Sequence, residues 1–382
     1  MTNTWKIYIL ALTSFLIGTS QFVISGILDQ IAVSVGISVA SAGQLITVFA
    51  LGNAIGTPIL IAATAKSNQR KQLLLALSLI MLSLLMTVLY SSYALLIIAR
   101  IIMGVGTGVF VVTAYNLSSK LAKPGKEIGA MANVAMGYSA SLVLGVPIGR
   151  VIASAYNWQT IFWIIGLLTI VATILIIKFV PSVKGEEIIP LRKQLSLLKD
   201  SRIVIALSIT LFTFLGYSVL NSYIAPFLGS VTDEKYISAI LLAVGIASLV
   251  GSKLGGFTAD HYGKDKTLLS SLILQTVALF GLFLLMDYSI TFIVIMLVFW
   301  SVVVWMFGPT QNYNLISLAP QAASIMLSLN SSVVQIGFAL GSGLGGIIVN
   351  LISIHSIVWI AAISVCISTI IGLFFFKQQA KA

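Results

Sequence analysis

The sequence predicts an all-α membrane protein of twelve transmembrane helices in two pseudo-symmetric six-helix halves, and three observations carry that prediction. Apolar stretches about a bilayer thick recur along the whole chain. Positive charge collects in every second connection between them. One long polar connection divides the chain into equal parts that align with each other. Of the 382 residues 59% are hydrophobic and only 8% charged, too little polar side chain to cover a water-soluble surface. A spanning helix needs about 20 mostly apolar residues, which places spans 1–12 near 7–29, 41–64, 72–90, 94–117, 128–153, 158–180, 203–228, 236–258, 266–286, 290–314, 322–350 and 355–376.

The formal charge of +11 would suit nucleic acid, but its placement argues for a membrane. With the N-terminus inside, the inner connections, inner span ends and tails carry 18 of the 21 basic residues, all but Arg100, Arg150 and Lys235. Short loops with this bias obey the positive-inside rule, which predicts a cell-membrane protein with both termini cytoplasmic. The outer loops hold Asp29, Asp233, Glu234 and Asp287. A nucleic-acid binder gathers its cations on one face among aromatics, whereas these are dispersed. The apolar run after Lys6 is too long for the core of a signal peptide and lacks a small-residue cleavage site before Asp29, so it is read as span 1. The expected partners are the lipid bilayer and a small molecule, with no nucleic acid, and the chain is expected to be a monomer.

Cofactor and enzyme chemistry find no footing. Cys366 lies alone inside span 12, which excludes a disulfide framework. Neither His261 nor His355 has a second ligand at helical spacing, so no metal site is expected. No G-x-x-x-x-G-K-[ST] motif is present for nucleotide phosphates. An enzyme would cluster His, Asp, Glu or Cys at a membrane face, and a sensor would add a soluble domain; neither is seen.

The long polar connection, 181–202, separates a half at 1–180 from a half at 203–382. Shifting the first half by 195 sets GTPILIAATAKSNQRKQLLL (56–75) on GSKLGGFTADHYGKDKTLLS (251–270) without a gap. Gly56 then meets Gly251, Lys71 meets Lys266, and Leu73 and Leu74 meet Leu268 and Leu269. Such self-similarity points to duplication, and parallel halves around a central cavity are the plan of one large transporter class.

Several motifs resemble one family. GGFTADHYGK (255–264), between spans 8 and 9, resembles the G-x-x-x-D-x-x-G-[RK] signature of the major facilitator superfamily, with Gly256, Asp260, Gly263 and Lys264 in its positions. Arg100 with Gly104, Gly106 and Gly108 resembles the R-x-x-x-G-x-G motif of its fourth helix. GYSASLVLGVPIGR (137–150) is similar to the Gly-Pro motif in the fifth helix of its drug:proton antiporters. FVISGIL, VASAGQLITVFALGNAIGTPIL and NWQTIFW (157–163) are similar to the twelve-span efflux branch related to sugar-efflux and chloramphenicol-resistance permeases. The resemblance implies that superfamily's fold and a secondary transporter. It implies proton-coupled export of a small amphipathic or sugar-like solute or drug by alternating access, as in multidrug-resistance antiporters. The residues leave a second reading open, proton-independent exchange or uptake of a neutral or anionic solute.

The marked residues divide by role. Glycines at 256 and 263 let helix ends approach and turn tightly, and Asp260 can satisfy the N-terminus of a neighbouring helix. The resemblance makes this loop an inner latch, and pseudo-symmetry sets Asp260 against Glu127–Gly129; the alternative is a solvated carboxylate. In the first half the same shift puts Ala65 at the acid and Asn68 at the glycine, so the two halves are held unequally. Arg100 lies well inside span 4, where a charge costs several kcal/mol and faces a cavity or a partner. The resemblance links it to proton transfer; the structural alternative is that it holds backbone carbonyls or an amide. Gly145, Pro147 and Gly149 form a hinge, because proline removes a donor and kinks the helix. Arg150 pairs with Asp29 or Asp287 as an outer gate, or else snorkels at the surface.

Polar residues within spans are cavity candidates: Gln21, Asn53, Tyr217, Asn221 and Gln335, with Trp300, Trp305, Gln311, Asn312 and Tyr313 around a break at Gly308–Pro309. Pockets with a few polar groups suit amphipathic solutes, and rings suit cations or flat ligands. The alternative is interfacial anchoring and interhelical glue. All ten acids fall in loops or at span ends. Proton antiport normally needs a titratable group in the interior, and Gln21 stands where related permeases tend to place a Glu. Glutamine cannot titrate, which leaves Asp29 as the nearest substitute.

Overall fold

A computed structural model describes residues 4–64, 67–89, 92–123, 127–183, 197–286 and 288–379. Among these residues all regular structure is helical. Twelve helices are long and apolar enough to cross a membrane: Trp5–Gly26, Val39–Ala63, Gln69–Leu89, Tyr93–Leu121, Ala130–Ala155, Trp158–Phe179, Ser201–Asn221, Glu234–Tyr262, Lys264–Leu285, Ile290–Leu318, Ile325–Leu351 and Ser356–Lys377. They correspond in order to the twelve spans expected.

A helix satisfies its backbone polar groups within itself, which lipid demands. Hydroxyls inside the spans follow the same rule: Thr13 donates to Ile9 O at 2.7 Å, Ser14 to Leu10 O at 2.8 Å and Thr169 to Ile165 O at 2.7 Å. The outward faces are apolar, with Leu12, Leu167, Leu284 and Phe374 exposed. Water would drive such a surface to aggregate; hydrocarbon is its matching solvent.

The chain forms two compact units, residues 1–188 and 189–382, and each repeats one packing plan. In the first, span 1 packs on spans 5 and 6, span 2 on span 4, and span 3 on spans 4 and 6. In the second, span 7 packs on spans 11 and 12, span 8 on span 10, and span 9 on spans 10 and 12. These are the same pairings six spans later.

The expected spans at 7–29 and 203–228 are each interrupted. Span 1 ends at Gly26 and restarts as Leu28–Val35, while span 7 ends at Asn221 and restarts as Ile224–Val231. Ile27, with φ −128° and ψ 18°, and Tyr223, with φ −114° and ψ 18°, make matching bends. Apolar residues continue through both bends, so hydropathy alone does not show them.

Prolines act unequally. In spans 2 and 5, π-helical turns at Gly52–Gly56 and Ser141–Gly145 precede Pro58 and Pro147. A proline ring crowds the carbonyl one turn back, and a widened turn relieves the clash. Pro309 does not break span 10 as expected, since one helix runs from Ile290 to Leu318. The Thr310 hydroxyl donates to Met306 O at 3.0 Å beside it, the kind of local compensation that lets a membrane helix carry proline.

The expected connection at 255–264 is mostly helix. Span 8 continues to Tyr262, Gly263 turns the chain at φ 88° and ψ 151°, and Lys264 opens span 9. That backbone conformation belongs to glycine. Of the polar segment 181–202, residues 184–196 lie outside the described residues, Leu197–Lys199 form a 3₁₀ turn and Ser201 opens span 7.

Candidate functional site

In the first unit the polar interior gathers around Arg100, which is buried to 2% exposure. Its Nη1 donates to Ser20 O at 3.0 Å, its Nη2 to Gln21 O at 3.2 Å and its Nε to Leu45 O at 3.4 Å. Nη1 also lies 3.0 Å from Met103 Sδ, and the guanidinium sits 4.8 Å from the centre of the Phe49 ring. No carboxylate among the described residues pairs with it. Arg100 therefore ties span 4 to carbonyls of spans 1 and 2, the structural alternative raised by the sequence. Beside it the Tyr138 hydroxyl of span 5 donates to Gln21 Oε1. Tyr138 was not singled out in the sequence; a lone Tyr before a Gly-Pro segment looks like packing.

Asn53 stands in the π turn of span 2, where span 4 comes closest. A side chain at Gly104 would meet Phe49 O and Asn53 N, and one at Gly108 would meet Thr57 and Asn53 Oδ1. Gly106 faces the other way, towards Ile80 and Ala76 of span 3. Of the hinge residues, Gly145 abuts Thr19 and Gly149 abuts Val23, so the Pro147 segment leans on span 1.

Arg150 is not a snorkelling surface residue but fully buried. It grips Asp29 bidentately, Nη1 to Oδ1 at 2.8 Å and Nη2 to Oδ2 at 2.9 Å, and Nη1 also donates to Gly26 O at 2.6 Å. Gln30 Nε2 adds a bond to Ser154 Oγ at 2.8 Å. Span 5 thus holds the bend of span 1 and the short helix after it, with Asp29 in that helix's first turn, where its dipole favours an anion. Asp287, the other expected partner, lies outside the described residues.

The second unit holds an aromatic group and an amide group. Tyr217 stacks on Trp300 at 5.4 Å between centroids and meets Trp305 at 6.1 Å and Phe338 at 5.6 Å, both edge-on. Farther along the same helices, Gln311 Nε2 donates to Ala206 O at 2.6 Å and to Thr210 Oγ1 at 2.9 Å. Thr210 donates to Asn330 Oδ1 at 2.8 Å, and Asn330 Nδ2 to Asn312 Oδ1 at 2.8 Å. Asn221 and Gln335 are half-buried, and their side chains make no hydrogen bond among the described residues. Thr210 and Asn330 were missed, because a single polar residue in an apolar span reads as glue.

Lys264, one of the residues of the expected latch, is engaged beside span 10. Its Nζ donates to Asn314 Oδ1 of span 10 at 3.0 Å and lies 3.2 Å from Asp265 Oδ1, within its own unit. Asp260 is exposed in the last turn of span 8, and a side chain at Gly256 would meet open space. Its expected partners' side chains at 127–129, and Ala65, lie outside the described residues.

Comparison with known proteins places this geometry in context. The family model of the Major Facilitator Superfamily matches residues 10–326. An uncharacterized MFS-type transporter, YbcL of Bacillus subtilis (strain 168), is 44% identical over 383 aligned positions, covering 100% of this chain and 98% of the relative. Two solved structures share the fold at low identity. A D-xylose–proton symporter gives a TM-score of 0.79 at 16% identity over 97% of this chain and 96% of that one. A bacterial homologue of the human lysosomal transporter Spinster, inward-facing and unoccupied, gives 0.75 at 14% identity over 99% and 98%.

Proposed function

The chain belongs to the major facilitator superfamily and is a multi-pass membrane transporter, and we propose that it exports a small amphipathic solute, neutral or anionic, by alternating access without proton exchange. The observation that carries this reading is the state of its acids. No described carboxylate lies more than about one helical turn from a helix end. Gln21, where related permeases tend to carry an acid, is an amide held by Tyr138. Asp29, the one substitute near it, has both oxygens on Arg150. A carrier that exchanges protons needs a carboxylate able to change charge state in the interior.

Export rests on the resemblance to sugar-efflux and chloramphenicol-resistance permeases, and the cell membrane with both chain ends in the cytoplasm rests on the placement of the basic residues. Within this reading the Gly145–Pro147–Gly149 segment flexes during the cycle, and the Asp29–Arg150 pair fastens the outer end of span 1. The test is a screen of drugs, sugars and organic anions in everted vesicles that contain a pH-sensitive dye. Solute entry to equilibrium with no change in dye signal is expected. Substrate-evoked proton release, abolished by Asp29→Asn, would instead establish coupling through that residue.

A further inference from the structure

We propose that Asn312 is a specificity-determining residue of the second unit that offers its two N–H donors while its oxygen is engaged, and so favours solutes joining a flat apolar ring to an acceptor such as a carboxylate or carbonyl. The inference rests on reading the chain as a carrier and adds the chemistry of its cargo. It follows from the polarity of one chain of hydrogen bonds. An amide side chain can be turned either way, so its orientation must be argued from its neighbours. Here both ends of the argument are pinned. Lys264 has donors and no acceptor, so the atom of Asn314 facing it at 3.0 Å is Oδ1. The Asn314 Nδ2 is thereby turned to Gln311 Oε1, at 3.3 Å.

Ala206 O can only accept, which independently fixes Gln311 with Nε2 towards it and towards Thr210 Oγ1. The Thr210 hydroxyl, having accepted, donates to Asn330 Oδ1, and Asn330 Nδ2 donates to Asn312 Oδ1. Every bond runs the same way, and a chain so ordered polarises each member in the same sense. At its end stands the Asn312 Nδ2, on a half-buried residue, with no acceptor among the described residues. A solute meeting this end encounters two unengaged N–H donors, while Oδ1 already accepts from Asn330.

The ring-binding part lies on the same three helices. Trp305 precedes Asn312 by seven residues on span 10, Tyr217 follows Thr210 by seven on span 7, and Phe338 follows Asn330 by eight on span 11. Each step is about two helical turns, or roughly 10 Å. Trp305 and Phe338 each meet Tyr217 edge-on. The unit therefore stacks an aromatic layer over a donor layer, and no described carboxylate offers a partner to a cationic head.

Three probes with one ring and different heads test this: benzoate, benzamide and benzylammonium. Their binding to the detergent-purified full chain is read as protection against thermal unfolding. Benzoate and benzamide are expected to bind at least about tenfold more tightly than benzylammonium, the scale of one hydrogen bond to a charged or fully engaged group. Asn312→Asp keeps the bond from Asn330 and turns the free end into an acceptor, so the order should reverse. Thr210→Val removes the hydroxyl that orients Asn330, which frees Asn330 and Asn312 to turn, so discrimination should narrow. Benzylammonium binding as tightly as benzoate, or no protection by benzoate and benzamide, overturns the proposal on the unaltered protein, whatever the variants do. Loss of vesicle transport with the probe order intact strikes only the carrier reading; transport of a cationic solute with the order absent strikes only this one.

Discussion

The two six-span units share a plan but fasten it with different chemistry. Where Gly104 of span 4 leaves bare room for Phe49 O of span 2, Ser301 of span 10 donates its hydroxyl to Val244 O of span 8 at 2.7 Å. Where Arg150 of span 5 reaches the bend of span 1, Tyr223 at the bend of span 7 reaches back, donating to Ser342 O of span 11 at 2.8 Å over Gly345. Asn68 caps span 3 by accepting from Lys71 N at 2.9 Å, whereas its counterpart Gly263 turns the chain at positive φ before span 9. Both π turns lie in the first unit. The first unit thus concentrates buried cations and pliable turns, while the second relies on neutral hydroxyls, amides and rings. The two units keep the same helix pairings and differ in the groups that make them.

The comparison breaks first where one helix backbone lies against another. Gly104→Val would drive side-chain atoms into the span 2 backbone and should destabilise the first unit by about 3 kcal/mol, seen as lost yield or a lower unfolding temperature in detergent. A wild-type temperature would mean the two helices are not so close. Next comes Asp29→Asn, which leaves the buried Arg150 without an anion. Because Asp29 is itself 30% exposed, the cost should be about 2 kcal/mol rather than the full penalty of a buried pair. The double change with Arg150→Gln should recover part of it, and no recovery would deny their coupling.

Smaller effects belong to the second unit. Tyr223→Phe removes one buried hydrogen bond while keeping the ring against Gly345, and should cost about 1 kcal/mol in the same melts. Ser301→Ala should cost least, about 0.6 kcal/mol, because a hydroxyl between membrane helices contributes little on average. If Ser301→Ala proved as damaging as Gly104→Val, the contrast between the units would be wrong.

Much of the fold was legible because each span carries its own hydropathy signal, independent of any partner. The repeat was legible from the 56–75 and 251–270 alignment, and the matching bends at Ile27 and Tyr223 extend it to a feature that hydropathy hides. The site was less legible. Arg100 announces itself as a charge in lipid, but its partners are carbonyls, which every residue has. Asn312 was visible as a polar residue, yet its donor polarity depends on Lys264, Asn314, Gln311, Thr210 and Asn330, which four different spans bring together. No spacing along one helix encodes that chain.

The central claim is that transport runs without a proton-carrying group in the spans. Its most direct test is solute counterflow in proteoliposomes of the purified chain, measured with and without an imposed pH gradient. Equal rates and equal final distributions are predicted. Accumulation that follows the pH gradient would contradict the account.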